Sequence, residues 1–198
     1  DGYYNYFLRL EALNTDDGFF DIKLGESLPD NGYVIEFDIK IDSYCNLGNI
    51  AELRSRSGKW IFPLAIRDSK LVFSPDRSSN LLSYDIGSGE WAHVSYEFDL
   101  TPCDEGKLPT VTVTFGDAEP YTYELPKELS SGLNVFRVCF DGKRDTGTIG
   151  MGYCLDNFKA YGGTNKVTDV SSLGSGRYVD AFAATTIEIV KDASHEET

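Results

Sequence analysis

Strict alternation of apolar and polar side chains makes residues 33–42 the clearest predicted strand of the chain. The odd positions are apolar, namely Tyr33, Ile35, Phe37, Ile39 and Ile41. From position 36 onward the even positions are charged, namely Glu36, Asp38, Lys40 and Asp42. Since successive side chains of a strand point to opposite faces, this pattern predicts a strand that packs on one side and meets water on the other.

The same period recurs in residues 90–100, where Ala92, Val94, Tyr96 and Phe98 are predicted to point inward. Turn residues separate many further short apolar runs. These runs are residues 3–13, 19–24, 48–54, 60–67, 70–74, 81–84, 109–115, 121–125, 133–140 and 153–161. About a dozen strands joined by tight turns, without an interposed helix, predict an all-β fold: a two-sheet antiparallel jelly-roll sandwich.

The acidic composition narrows the choice of partners. The formal net charge is −14 at pH 7, spread over both halves of the 198-residue chain. Such a surface repels phosphate backbones and anionic lipids, so nucleic acid and membrane surfaces are disfavoured as partners. No apolar run reaches the roughly 18 residues of a membrane-spanning helix, and membrane insertion is therefore not expected.

A change of composition near residue 162 predicts the domain organisation. Residues 1–162 are interpreted as one jelly-roll domain. Residues 164–176 are polar and rich in Gly and Ser, and residues 177–190 carry β-branched side chains. We interpret residues 163–198 as a linker or extended segment leading to a further domain of the same polypeptide. Docking of this segment on an edge of the sandwich is the alternative.

Four cysteines lie too far apart for a zinc site built on Cys-x-x-Cys pairs, namely Cys45, Cys103, Cys139 and Cys154. Their disulfide pairing stays open, because four cysteines allow several connectivities. Buried thiols that act as small apolar side chains are the simpler interpretation.

Four segments together resemble a known family. They are residues 33–40 (YVIEFDIK), residues 89–96 (GEWAHVSY), the strand pair around Gly116 and Asp117, and residues 155–161 (LDNFKAY). The chain resembles the concanavalin A-like lectin/glucanase superfamily, and within it the laminin G-like jelly rolls of secreted multidomain proteins. The resemblance implies two curved antiparallel sheets and an extracellular or cell-surface location.

The resemblance also implies a ligand and a metal. Members of this superfamily often bind glycans, and many hold a structural calcium through a carboxylate of the last strand and nearby backbone carbonyls. Carried over by position, the calcium ligands are Asp156, Asn31 and Gly32.

Aromatic side chains are the candidates for glycan contact, because sugars stack on flat rings. Trp60, Tyr121 and Tyr123 are the predicted ligand-binding residues. Trp91 is interpreted as a core residue, as its counterpart in the family is.

A complete catalytic motif is not found in the sequence. Glu36 and Asp38 begin like the carboxylate row of retaining glucanases, but the second glutamate is missing and Lys40 is expected to pair with the acids. The only histidines are His93 and His195, and no serine triad is apparent. The function predicted is a noncatalytic, carbohydrate-binding module of a secreted or cell-surface protein. The alternatives are a glycan-degrading enzyme, either a glycoside hydrolase or a polysaccharide lyase, and a structural or protein-adhesion domain.

Overall fold

The computed structural model describes residues 5–12, 18–24, 31–41, 46–100, 107–141, 150–162, 165–169 and 185–192. Within them the chain forms strands β1 (Asn5–Ala12), β2 (Gly18–Lys23), β3 (Asn31–Ile41), β4 (Gly48–Ser55), β5 (Trp60–Arg67), β6 (Lys70–Phe73), β7 (Leu82–Asp85), β8 (Trp91–Asp99), β9 (Thr110–Phe115), β10 (Tyr121–Glu124), β11 (Leu133–Asp141), β12 (Gly152–Gly162), β13 (Asn165–Asp169) and β14 (Thr185–Asp192). A 3₁₀ turn at Lys127–Ser131 precedes β11. None of these elements is a helix long and apolar enough to cross a membrane.

The strands of the described residues form two sheets. Within each sheet, all paired strands run antiparallel to each other. The eight-stranded sheet has the order β10-β9-β8-β3-β12-β1-β14, and β13 also pairs with β12. The six-stranded sheet has the order β2-β11-β4-β5-β6-β7. The predicted all-β, two-sheet antiparallel sandwich is therefore confirmed.

Strand β3 lies inside the eight-stranded sheet with the faces that its alternation predicts. Its odd-numbered side chains are all buried, namely Tyr33, Ile35, Phe37, Ile39 and Ile41. The inward residues predicted for β8 are buried too, namely Ala92, Val94, Tyr96 and Phe98. The side chains between them point to the outer face of the sheet, where they are partly or fully exposed.

Aromatic rings join the two sheets at the centre of the core. Phe37 of β3 stacks on Phe158 of β12, with ring centroids 6.0 Å apart. Phe136 of β11, from the other sheet, meets Phe37 at 5.6 Å and Phe158 at 5.1 Å. Such aromatic contacts add to the large apolar area that each ring buries.

A β-bulge in β12 allows this packing. The register with β3 shifts between Asp156 and Lys159, and Asn157 takes a positive φ of 50°. Asparagine tolerates this backbone region better than most residues. Because one extra residue reverses the alternation, Phe158 and Ala160 point inward, like Leu155 before the bulge.

Two strands from the region beyond residue 162 join the eight-stranded sheet. β13 pairs with the end of β12, and β14 pairs with β1 along its whole length. The boundary at residue 162 and the presence of a further domain remain predictions.

Two of the cysteines are placed by the structure. Cys139 lies in β11 and Cys154 in β12, so they belong to different sheets, and both are buried. Cys45 and Cys103 lie outside the described residues, so the disulfide pairing stays open.

Candidate functional site

The outer face of the six-stranded sheet carries a cluster of guanidinium groups, carboxylates and aromatic rings, here called the arginine face. Its members come from β2, β11, β4, β5 and the loop between β6 and β7. They are Phe19, Asp21, Glu52, Arg54, Trp60, Phe62, Arg77 and Arg137. Most of them are neighbours only because the sheet pairs distant parts of the chain.

Arg137 is at the centre of this face. The strand register places it opposite Asp21 on one side and Glu52 on the other. Its Nε donates to Asp21 Oδ1 at 2.7 Å, and its Nη2 donates to Asp21 Oδ2 at 3.1 Å. The bond to Asp21 raises the pKa of Arg137 above its ordinary value. Because both ends of the carboxylate are engaged, the plane of the guanidinium is fixed.

Glu52 links Arg137 to a second arginine. Only 7% of Glu52 is exposed to solvent. Its Oε2 lies 3.6 Å from Nη1 of Arg137, and its Oε1 lies 3.5 Å from Nη2 of Arg77. A carboxylate buried to this degree needs such partners, because burying an isolated charge is costly.

The same arginines lie against the aromatic rings. The guanidinium carbon of Arg137 is 3.7 Å from the centroid of Phe19 and 4.7 Å from that of Trp60. Arg54 approaches Trp60 at 5.3 Å, and Arg77 lies 3.8 Å from Phe62. These cation–π contacts hold the rings and the cations beside one another on the surface of the sheet.

The loop that carries Arg77 is held by its own polar groups. Arg77 has a positive φ of 70°, a conformation that few residues other than glycine adopt. Oδ1 of Asp76 accepts hydrogen bonds from the backbone N–H groups of Ser78 at 2.9 Å and Ser79 at 2.7 Å. These bonds hold the pKa of Asp76 well below its usual range. The unusual backbone at Arg77 is thus supported on its C-terminal side.

Arg67, at the end of β5, holds the same loop from the sheet. It donates to the carbonyl oxygens of Arg77 at 2.6 Å and Ser79 at 3.1 Å. It also donates to Ser74 Oγ at 2.9 Å and to the side-chain oxygen of Asn80. The loop is therefore fixed, and Arg77 projects toward Glu52 and Phe62.

Of the predicted glycan-binding residues, only Trp60 belongs to the arginine face. Tyr121 and Tyr123 lie in β10, at the edge of the other sheet. Their rings contact Phe73 at 6.3 Å and 5.5 Å and pack against the core. The structure therefore does not bring the two tyrosines together with Trp60.

The outer face of the eight-stranded sheet carries a second polar group, here called the histidine cluster: Glu36, Asp38, His93, Asn157 and Lys159. His93 Nδ1 lies 2.8 Å from Asp38 Oδ1, and Asn157 Nδ2 donates to Asp38 Oδ2 at 2.8 Å. Lys159 Nζ lies 3.4 Å from Glu36 Oε1. Both acids of the partial glucanase motif thus contact basic groups.

Lys40 does not take part in this pairing, so the expectation that it neutralises the two acids was wrong. Its Nζ lies over the rings of Phe7 at 4.7 Å and Trp91 at 4.8 Å. Trp91 itself is half-buried on the outer face and meets Phe7 edge-on. The expected core position of Trp91 was therefore also wrong.

The predicted calcium ligands do not converge. The register of β12 with β3 places Asp156 opposite Asp38, whereas Asn31 and Gly32 lie at the start of β3. Six positions of extended strand separate Gly32 from Asp38, which is about 20 Å. Oδ1 of Asp156 instead accepts the backbone N–H of Asn157 at 2.8 Å. The register therefore does not bring these three residues together, and the calcium ligand set stays a prediction.

Elsewhere among the described residues, no three His, Cys, Asp or Glu side chains lie close enough to hold a metal ion. Calcium binding by this protein therefore stays a prediction.

We expect the histidine cluster to make stability depend on pH. The hydrogen bond to Asp38 is the largest cause that raises the pKa of His93, and the charges of Asp38 and Glu36 add to it. The contribution to folding is complete below the unfolded pKa of about 6.5 and is lost as pH rises through the higher folded value. Because half of the side chain is exposed, the loss is expected to stay below about 1 kcal/mol.

Urea denaturation at about pH 5.5 and about pH 9 measures this loss, with His93→Gln as the control that abolishes it. An NMR titration that places the pKa of His93 at or below its ordinary value contradicts the expectation.

Sequence reasoning selected Trp60 as a candidate and did not select the other members of the arginine face. Arg137 is the one base of β11 and lies between the apolar residues Phe136 and Val138, and Glu52 is an acid among buried neighbours. A charge at such a position indicates a partner on the neighbouring strand. The identity of that partner could not be read from the sequence, because Asp21 and Arg137 lie 116 residues apart.

Comparison with known proteins identifies the fold alone. No protein-family model matches the chain, and no curated protein does. Among solved structures, an endo-β-1,4-glucuronan lyase from the fungus Trichoderma reesei is similar with a TM-score of 0.51 and 11% identity, over 84% of this chain and 89% of that one.

Two further structures show weaker likeness. An alginate lyase from Pseudomonas aeruginosa has a TM-score of 0.45 and 10% identity, over 68% of this chain and 66% of that one. The catalytic domain of a GH131 β-glucanase from Podospora anserina has a TM-score of 0.40 and 12% identity, over 81% of this chain and 72% of that one. The likeness to the glucuronan lyase shows a shared fold, and membership of the concanavalin A-like superfamily and of its laminin G-like family remains a prediction.

Proposed function

We propose that the protein is a noncatalytic module that binds a polysaccharide on the arginine face. The observation that carries the proposal is the indole of Trp60 beside the guanidinium groups of Arg54 and Arg137, on the outer surface of a sheet. The C–H face of a sugar ring packs on a flat aromatic ring, and guanidinium groups donate to sugar oxygens. Both kinds of contact are available here within a few ångströms.

The arginine face is ordered before a ligand arrives, which favours recognition. Arg137 is held by Asp21 and Glu52, and Arg77 is held by its loop. Because these side chains lose little freedom on binding, less of the interaction energy is spent in ordering them.

The fold comparison supports the same class of ligand. The glucuronan lyase that shares the fold is, by its name, a protein that acts on a polysaccharide. For the present chain we propose binding without cleavage. Since polysaccharides are met mainly outside the cell, the proposal includes an extracellular or cell-surface location.

Tryptophan fluorescence offers a direct test, because the chain has two tryptophans and they lie on opposite outer faces. Trp91→Phe leaves Trp60 as the fluorophore, and Trp60→Phe leaves Trp91. A glycan that binds the arginine face is expected to change the emission of the first variant and not of the second. Trp60→Ala is expected to weaken binding about tenfold, whereas Trp91→Ala, the matched control, leaves it unchanged.

Three results would overturn the proposal. A ligand-dependent change confined to Trp91 moves the site to the other sheet. Background binding across a broad glycan panel favours a structural or adhesion domain. Appearance of the ultraviolet absorbance of unsaturated sugar ends, or of new reducing ends, shows that the protein is an enzyme.

A further inference from the structure

We infer that the polysaccharide bound on the arginine face is anionic and carries carboxylates, as polymers of uronic acids do. This inference rests on the proposed function and deepens it by naming the ligand class. It is carried by the placement of the arginines and by the way their charges are matched.

Arginine is concentrated on this side of the protein. The chain has eight arginines, and four of them lie on the outer surface of the six-stranded sheet or in its β6–β7 loop: Arg54, Arg67, Arg77 and Arg137. The whole chain carries a formal charge of −14. Because diffuse negative charge repels a polyanion, an anionic ligand is expected to bind only where cations are gathered.

The two guanidinium groups beside Trp60, those of Arg137 and Arg54, differ in their pairing with carboxylates. Asp21 and Glu52 form ion pairs with Arg137, and Glu52 also forms an ion pair with Arg77. No carboxylate of the described residues lies within ion-pair distance of Arg54, which is exposed beside Trp60. Within the described part of the chain, Arg54 thus lies beside Trp60 without a paired carboxylate, and a carboxylate of the ligand would take that position.

The pairing of Arg137 with Asp21 indicates which chemical group of a ligand Arg54 would bind. The guanidinium of Arg137 binds the planar carboxylate of Asp21 through two parallel hydrogen bonds. A uronate residue stacked on Trp60 would present the same planar group to Arg54. The hydroxymethyl group of a neutral hexose has no such geometry and no charge, so it makes a weaker contact.

Two oligosaccharides that differ only at C6 test this inference: β-1,4-linked glucuronate and β-1,4-linked glucose of equal length. Calorimetric titration of the whole chain is expected to show at least about tenfold tighter binding of the uronate. Polymannuronate and polygalacturonate, each beside its carboxyl-reduced form, extend the comparison to other sugar geometries. Dextran sulfate serves as a polyanion without carboxylates.

Substitutions of Arg54 test whether this residue causes the preference for the uronate. Arg54→Gln is expected to weaken uronate binding about tenfold and to weaken binding of the neutral partner by a smaller factor, because the amide still donates to sugar oxygens but carries no charge; Arg54→Lys is expected to retain part of the uronate binding. Arg9→Gln, on the outer face of the other sheet, is the matched control and is expected to change neither. Since Arg54 is exposed, its replacement is expected to leave the thermal midpoint unaltered, and thermal unfolding of each variant checks this.

The outcomes separate the two proposals. Equal binding of acidic and neutral oligomers overturns the anionic inference and leaves glycan binding in place. Dextran sulfate binding as tightly as the uronates, with the same loss in Arg54→Gln, overturns the choice of carboxylate. Binding of none of the polymers overturns the proposed function itself.

Discussion

Replacing Phe37 by alanine is expected to lower the free energy of unfolding by about 3–5 kcal/mol. Phe37 is only 1% exposed and contacts Phe158 in its own sheet and Phe136 in the other. The substitution removes apolar contacts from both sheets at once and leaves a cavity at their junction. Urea denaturation followed by far-ultraviolet circular dichroism measures the change.

Two further variants check that the effect comes from the junction. Phe37→Leu keeps most of the volume and is expected to cost less than half as much as alanine. Leu108→Ala, at a position that is 41% exposed, is expected to cost less than about 0.5 kcal/mol. An alanine effect at Phe37 no larger than at Leu108 would show that the two sheets are not joined there.

The second large effect is expected at Arg137. Arg137→Met leaves Asp21 and the buried Glu52 without their common cation, and we expect it to lower the free energy of unfolding by about 2–3 kcal/mol. The value lies below that of a fully buried pair because Asp21 is partly exposed. Glycan binding is expected to be lost as well, since Trp60 and Phe19 lose the cation that lies against them.

A double-mutant cycle with Glu52→Gln separates the pair from its surroundings. If Arg137 and Glu52 interact as the structure shows, the double variant is less destabilised than the sum of the two single variants. Additive losses would mean that each residue acts through other contacts.

The architecture was predictable because it depends on local patterns. The two-residue period of β3 and β8 is visible without any knowledge of the partner strands, and it assigned their inner and outer faces correctly. The tight turns between the apolar runs are visible in the same local way, and they excluded parallel pairing because a tight turn joins antiparallel strands. The sheet memberships could not be read from the sequence, because they depend on which distant strands pair.

The members of the arginine face were harder to predict, because they come together only across strands. Trp60 was selected as a candidate from its chemistry, whereas Arg137 and Glu52 become neighbours through the pairing of β11 with β4. The placement of the predicted calcium ligands was hard to foresee for a related reason. Asp156 and Gly32 lie on neighbouring strands, but the register separates them along the strand axis.

The position of β1 between β12 and β14 has a consequence for how the protein is made. Leu8 pairs with Leu155 on one side and with Ile189 on the other. Translation proceeds at about 5–20 residues per second, so on the order of ten seconds pass between the synthesis of β1 and the exit of β12 from the ribosome. Contacts of such long sequence separation also slow folding once the chain is complete.

The arginine face is also expected to be completed late in folding. Strands β4 to β7 pair with their neighbours in sequence, so we expect Glu52, Trp60 and Arg77 to reach their positions early in folding. Arg137 reaches its place only when β11 inserts between β4 and β2. Ligand binding should therefore appear late in refolding, after the hairpins, and would serve as a reporter that assembly has been completed.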